Sequence, residues 1–282
     1  MPGRHTHPVG VAAVDRRQTA RDMPRLPDIG TELVEVSGRT LHVRHFGGER
    51  TGPPLVFLHE GLGSVDLWRD FPAEIVDRTG RPGVAYSRYG NGWSTPLAEA
   101  RGPDYMHREA REDLPGILAG LGSEPPILIG HSDGASIAII YAGSGHPVRG
   151  LVLIAPHVFV EPETVAAIES MRESFATSDM SERMGAYHRN PVATFHGWAD
   201  IWLSPGFRDW NIEGDIRGIR CPTLMVQGDA DEYGTERQLD AIDDGLSAPA
   251  DRLLVSGAGH SPHLSYPGPV ADAVVDFIDR LA

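Results

Sequence analysis

The pentapeptide Gly130-His131-Ser132-Asp133-Gly134 is the stretch of this sequence best suited to covalent chemistry. It reads G-x-S-x-G and lies directly between a short apolar run and a helix-like segment. A strand that turns so sharply into a helix needs small residues beside the serine. The turn leaves Ser132 Oγ projecting where a helix N-terminus favours negative charge. A serine hydroxyl is a weak nucleophile near neutral pH, so it requires an adjacent base, and the base requires a partner that fixes its tautomer and stabilises its charged form. Both residue types follow downstream. Gly228-Asp229-Ala230-Asp231 closes one apolar run and Gly257-Ala258-Gly259-His260 closes the next, so the chain order is Ser, Asp, His. The reading is Ser132 as nucleophile, His260 as general base and Asp231 as the orienting acid, with Asp229, Glu161 and His263 as competitors.

The elements that must position these residues can be read from the apolar pattern. Thr31 to Phe46 alternates apolar and polar residues around Ser37-Gly38-Arg39, which predicts two antiparallel strands and a tight turn. Pro54 to Leu58, Gly83 to Ser87, Ile127 to Gly130, Leu151 to Ala155 and Thr223 to Gln227 are apolar without alternation, as expected of strands covered on both faces. Leu253 to Ser256 adds a last strand. Helical spacing lies between them at Leu67 to Arg78, Tyr105 to Leu121, Ala135 to Ala142, Glu236 to Leu246 and Pro269 to Leu281. This alternation predicts an α/β fold with a doubly wound, mostly parallel sheet. One interval breaks the rhythm: 161–218 holds no strand-like run, is helical from Glu163 to Met184, and carries Phe195, Trp198, Trp202, Phe207 and Trp210. It is too long for a plain connection and reads as an inserted helical cap. The expected organisation is a disordered lead-in over 1–28, a core of 29–160 and 219–282, and the cap at 161–218.

Four motifs together resemble the α/β-hydrolase family, from about residue 31 to the C-terminus. They are Phe57-Leu58-His59-Glu60-Gly61-Leu62-Gly63 with Trp68 beyond it, Ser87-Arg88-Tyr89-Gly90-Asn91-Gly92-Trp93-Ser94, the serine pentapeptide, and Gly259-His260-Ser261-Pro262-His263. The resemblance implies an oxyanion hole made by the backbone N–H groups of Gly61 and Asp133. It also implies that the acid stands three residues after the strand-ending glycine, which selects Asp231 over Asp229; a minority placement after the preceding strand would select Glu161. The histidine directly after the glycine is His260 rather than His263. Two positions depart from the family pattern. Glu60 stands where glycine is usual and would put a carboxylate beside the oxyanion hole or out into solvent, and Ser87 stands where aspartate is usual, without a functional reading. Glu60, His131, Phe159, Trp198 and Trp202 are the candidate substrate-pocket residues.

Composition closes off other functions. The 282 residues carry 25 Lys and Arg against 39 Asp and Glu, a formal charge of −14 that repels nucleic acid and anionic lipid. All the basic residues are arginine, so neither a pyridoxal Schiff base nor a P-loop lysine can exist. A single cysteine, Cys221, allows no intramolecular disulfide and no Cys-rich zinc site. His59 and His157 follow strands but lack the spacing of metal ligands, so neither a metal nor a cofactor is expected. No apolar run is long enough to span a membrane and the N-terminus lacks a signal h-region, so a cytoplasmic protein is expected. The expected partner is a small molecule, and the edges of such a sheet would permit a homodimer. The expected reaction is hydrolysis of a carboxylic ester through an acyl-enzyme. A serine nucleophile disfavours the aspartate-dependent dehalogenase and epoxide hydrolase routes. The same triad would support a ring-cleavage carbon-carbon hydrolase, a lactonase or an amidase, and a ligand receptor that has given up catalysis is the alternative of another class.

Overall fold

The structure, a computed structural model, describes residues 30–48 and 52–281. The expected lead-in at 1–28 lies outside the described residues. Thr31–Val36 (β1) and Arg39–Phe46 (β2) form the predicted hairpin. Its turn residues Ser37 and Gly38 both have positive φ, 51° and 76°, which matches the turn twist to the right-handed twist of the strands. The other strands are Leu55–Leu58 (β3), Gly83–Ser87 (β4), Ile127–His131 (β5), Gly150–Ile154 (β6), Thr223–Gly228 (β7) and Ala250–Val255 (β8). They form one eight-stranded sheet ordered β1-β2-β4-β3-β5-β6-β7-β8, parallel from β4 onwards.

Every residue of β3 through β7 is buried, because helices cover both faces of the sheet. The two-residue period sorts them onto two cores. Val56, Leu58, Tyr86, Leu128 and Leu153 pack on one face with Asp133–Gly143 and the helical stretch that starts at Tyr105. Leu55, Phe57, Ala85, Ile129 and Ile154 pack on the other with Phe71–Thr79 and Pro267–Arg280.

Three element boundaries differ from expectation, each for a local reason. The segment predicted as one helix over Leu67 to Arg78 is a 3-10 turn at Val65–Trp68 and a separate helix at Phe71–Thr79. Pro72 lies in that helix's first turn, where its missing N–H costs nothing, and it would break a helix running through it. The stretch from Tyr105 is helical to Ala119 but holds one π turn at Glu109–Asp113, just before Pro115. The last strand begins three residues earlier than Leu253, its outer residues half-exposed at the sheet edge. Between β6 and β7 the chain is helical at Pro162–Thr177, Met180–Met184, Pro191–Trp202 and Glu213–Ile216, with a 3-10 turn at Pro205–Phe207.

The strand order reverses at β3, which has β4 on one side and β5 on the other. At such a switch point the loops leaving the carboxyl ends of neighbouring strands diverge and open a crevice. The loop after β3 carries His59 to Gly63 and the turn after β5 carries Ser132, so the topology sets these two motifs side by side.

Candidate active site

Ser132 has φ 53° and ψ −118°, a backbone region that residues with a Cβ rarely occupy. The helix Asp133–Gly143 begins at the next residue, and the Ser132 N–H donates to Ile154 O across to β6 at 2.9 Å. Gly134 explains why the pentapeptide cannot carry a larger residue: a Cβ there would lie 1.9 Å from Leu58 O of β3. Strain in the turn is therefore over-determined by packing on both neighbouring strands.

His260 Nε2 lies 2.9 Å from Ser132 Oγ, and His260 Nδ1 lies 2.9 Å from both carboxylate oxygens of Asp231. These partners assign the tautomer: Nδ1–H donates to Asp231, leaving Nε2 to accept from the serine hydroxyl. Asp231 is itself pinned, accepting from Tyr233 N at 2.8 Å and from Gln227 Nε2 at 2.7 Å, with its side chain 1% exposed. Burial alone would lower the pKa of His260, but the hydrogen bond and charge of Asp231 outweigh it and hold the ring above its ordinary value.

The competing residues have other employment. Asp229 accepts from Ser256 Oγ and Gly257 N and so ties the turn that follows β8. Glu161, buried, accepts from Thr235 N, Thr235 Oγ1 and Gln238 Nε2. His263 is buried between Trp68, Phe71 and His131, and its pKa is well depressed by burial. His59 is buried with Nδ1 donating to Glu60 O at 2.6 Å and Nε2 accepting from Arg88 N at 2.9 Å, and burial keeps it neutral with a pKa of about 3. Among the described residues no group of three or more His, Cys, Asp and Glu side chains could hold a metal ion.

A cleft of about 250 Å³ opens over Ser132. Gly61 and Asp133 line it, and neither backbone N–H has a hydrogen-bond partner among the described residues. Glu60, Trp198 and Trp202 line it, together with Leu62, His157, Ile168, Met171, Glu232 and Tyr233. Trp198 lies so close over the oxyanion loop that a Cβ on Gly61 would come within 2.2 Å of its indole ring. His157 is buried beside His260, ring centroids 5.5 Å apart, and burial drives its pKa to about 3 so that it adds no charge there. Among the described residues no arginine lines the cleft.

Two expected pocket residues do not line it. His131 faces the opposite side of its strand, where Nε2 lies 2.8 Å from His260 O and Nδ1 lies 3.5 Å from Glu60 Oε2, so it supports the cleft from behind. Phe159 is partly buried against the core instead, its backbone bridged to Asn211, its carbonyl accepting from Gln238 Nε2 and Arg237 lying over its ring. Glu60 keeps a pKa below its ordinary value: burial opposes this, and the neighbouring His131 more than offsets burial.

Residues 55–273 match the family model described as the alpha/beta hydrolase family. The chain belongs to the alpha/beta hydrolase family. Its relatives include the sn-1-specific diacylglycerol lipase ABHD11 of Mus musculus, 31% identical over 113 residues, which are 40% of this chain and 35% of the lipase. The match thus spans about a third of that relative's length. The 2-(acetamidomethylene)succinate hydrolase of Mesorhizobium japonicum is 24% identical over 274 residues, covering 87% of this chain and 94% of that enzyme. Among solved structures, a bacterial membrane phospholipase A superposes with a TM-score of 0.72 at 20% identity, over 89% of this chain and 86% of that one, a likeness of fold alone. Among the described residues of this alpha/beta hydrolase no helix is long and apolar enough to cross a membrane.

Proposed function

We propose that this protein is a serine hydrolase that cleaves carboxylic esters of small, largely apolar acids through an acyl-enzyme. The observation that carries the reading is the unbroken hydrogen-bond chain from Ser132 Oγ through His260 to Asp231, opening onto a cleft with two N–H groups that have no partner among the described residues. In this mechanism His260 Nε2 takes the proton of Ser132 Oγ as the oxygen attacks the ester carbonyl. The N–H groups of Gly61 and Asp133 receive the oxyanion. The carbon-oxygen bond to the alcohol then breaks, and the alcohol leaves with the proton held by His260. Water, deprotonated by the same histidine, releases the acid and restores the serine.

Residues 161–218 serve as a cap in this reading, since Thr164, Ile168, Met171, Trp198 and Trp202 supply the apolar wall over the serine. The volume of about 250 Å³ favours a short acyl group over a long fatty chain, being below the range typical of drug-sized ligand pockets. The charge of the wall favours neutral substrates: a succinate derivative such as the one in the Mesorhizobium relative's name would meet Glu60 and Glu232 and, among the described residues, no arginine.

The test is hydrolysis of p-nitrophenyl esters from acetate to laurate by the wild type and by Ser132→Ala. The expected result is a burst of released phenol that vanishes in Ser132→Ala, with kcat/KM highest for the short acyl chains. Absence of turnover on every ester would contradict the reading and favour a lactone, amide or carbon-carbon substrate, or a receptor role.

A further inference from the structure

Beneath the cleft lies a cluster of four charged side chains that the ester mechanism does not itself employ. Arg88, 1% exposed, donates from Nη1 to Glu109 Oε2 at 2.9 Å and from Nη2 to Glu60 O at 2.9 Å and Asp133 Oδ2 at 3.2 Å. Tyr105 OH donates to the same Asp133 oxygen at 2.7 Å, and Arg101 pairs with Glu109. Two guanidinium groups thus balance two carboxylates in a buried space.

We propose that Arg88 is a positioning residue that holds both oxyanion donors at once, an inference that rests on the acyl-enzyme reading. Two geometric facts carry it. The Glu60 carbonyl and the Gly61 N–H belong to one planar peptide unit and point in opposite directions, since the described residues contain no cis peptide bond. Three donors converge on that carbonyl: Gly63 N at 3.0 Å, His59 Nδ1 at 2.6 Å and Arg88 Nη2 at 2.9 Å. Fixing the carbonyl toward Arg88 fixes the Gly61 N–H away from it, and a cationic donor polarises the peptide and strengthens its N–H. Of the three donors only Arg88 also reaches Asp133, the residue that carries the second N–H.

Charge gives the second reason. Asp133 is the residue after the nucleophile, and a bare carboxylate there would oppose the negative charge that develops on the substrate oxygen. Arg88 cancels it. A fully buried ion cluster adds little net stability over an apolar packing of equal volume, so stability alone does not account for this one. Asn91, from the same loop as Arg88, donates Nδ2 to Gly61 O at 3.0 Å and Gly63 O at 3.1 Å, so the 87–94 segment as a whole cradles the oxyanion loop.

The test compares wild type with Arg88→Met and Arg88→Lys in the full chain. Circular dichroism checks folding, and burst amplitude counts active sites. Expected for folded Arg88→Met is a fall in kcat per active site of about 100-fold, the typical effect of losing one oxyanion donor, with KM within about twofold. Affinity for a boronic acid that forms a tetrahedral adduct on Ser132 should fall by the same factor. Arg88→Lys keeps the charge but not the fork, and should lose activity in the same pattern, by about tenfold. If Arg88→Met does not fold, Arg88→Lys decides. A folded variant with wild-type kcat per active site, a loss seen only in burst amplitude, or failure of both variants to fold would overturn the proposal. A wild type with neither burst nor boronic-acid binding would overturn the acyl-enzyme reading as well, whereas a wild-type burst beside an unimpaired Arg88→Lys would overturn the proposal alone.

Discussion

At the scale of single residues, the state of His260 decides whether Ser132 can react. The ring must be neutral to accept the serine proton, yet its pKa is held above the ordinary value of 6.5 by Asp231. Activity should therefore fall as pH drops through that raised pKa, placing the acid limb of kcat/KM above about 6.5. Replacing the buried carboxylate in Asp231→Asn removes the cause of the shift, so the limb should move to lower pH while kcat drops by about 10,000-fold, the scale seen when a triad histidine loses its tautomer. An acid limb that stays in place in Asp231→Asn would show that another group sets it. The residues of this chain of hydrogen bonds were legible from the sequence because each sits in its own short motif beside a strand end. Arg88 was not legible. It was visible inside the Ser87 to Ser94 motif, but its role exists only where the loops after β3, β4 and β5 meet. Likewise the side of the strand on which His131 lies, and the packing of Phe159 against the core rather than in the cleft wall, depend on backbone direction that spacing alone does not give.

At the scale of elements, the helix Pro191–Trp202 and the oxyanion loop are in direct contact, with Trp198 covering Gly61. The sequence shows why the intervening segment is helical and aromatic, but not that one tryptophan would rest on a glycine some 140 positions earlier; that contact is tertiary. Because a Cβ at Gly61 would fall within 2.2 Å of the indole, Gly61→Ala must displace either the loop or the helix. Its kcat should drop by about 100-fold, as for loss of an oxyanion donor. Adding Trp198→Ala opens the space, so the double variant should recover part of that loss, a coupling between neighbours that separate sites would not show. Strictly additive effects would mean that the two elements do not constrain each other. The helix also docks by a polar contact, Thr194 Oγ1 donating to Gly90 O at 2.7 Å, and the segment just before it is tied to the same loop by the Gly92 N–H donating to His188 Nδ1 at 3.0 Å.

At the scale of the whole molecule, the buried histidines govern how the fold responds to acid. His59, His157 and His188 have pKa values driven by burial to about 3, 3 and 4, and those of His42 and His263 are also lowered. Each stays neutral in the folded chain but takes a proton on unfolding below its ordinary pKa. Their stability contribution is thus present above about 6.5 and lost as pH falls toward 4, at up to about 1.4 kcal/mol per pH unit for each proton taken up. His260, raised, and Asp113, raised by burial to about 6, work in the opposite direction, but they are two against five. The urea midpoint should therefore fall between about pH 7 and pH 5, and a flat or rising midpoint would contradict this balance. The general architecture was open to sequence reading because five strands buried on both faces leave unbroken apolar runs, whereas the boundaries that shifted lie at Pro72, at the π turn and at the sheet edge, where local chemistry and exposure compete with the pattern. A covalent acyl-enzyme on Ser132 would be seen in the mass of the intact chain quenched in acid during turnover of a short-chain p-nitrophenyl ester. The expected result is a species heavier by one acyl group, mapped to the peptide that contains Ser132 and absent from Ser132→Ala. Turnover without such a species, or with the acyl group on another residue, would contradict it.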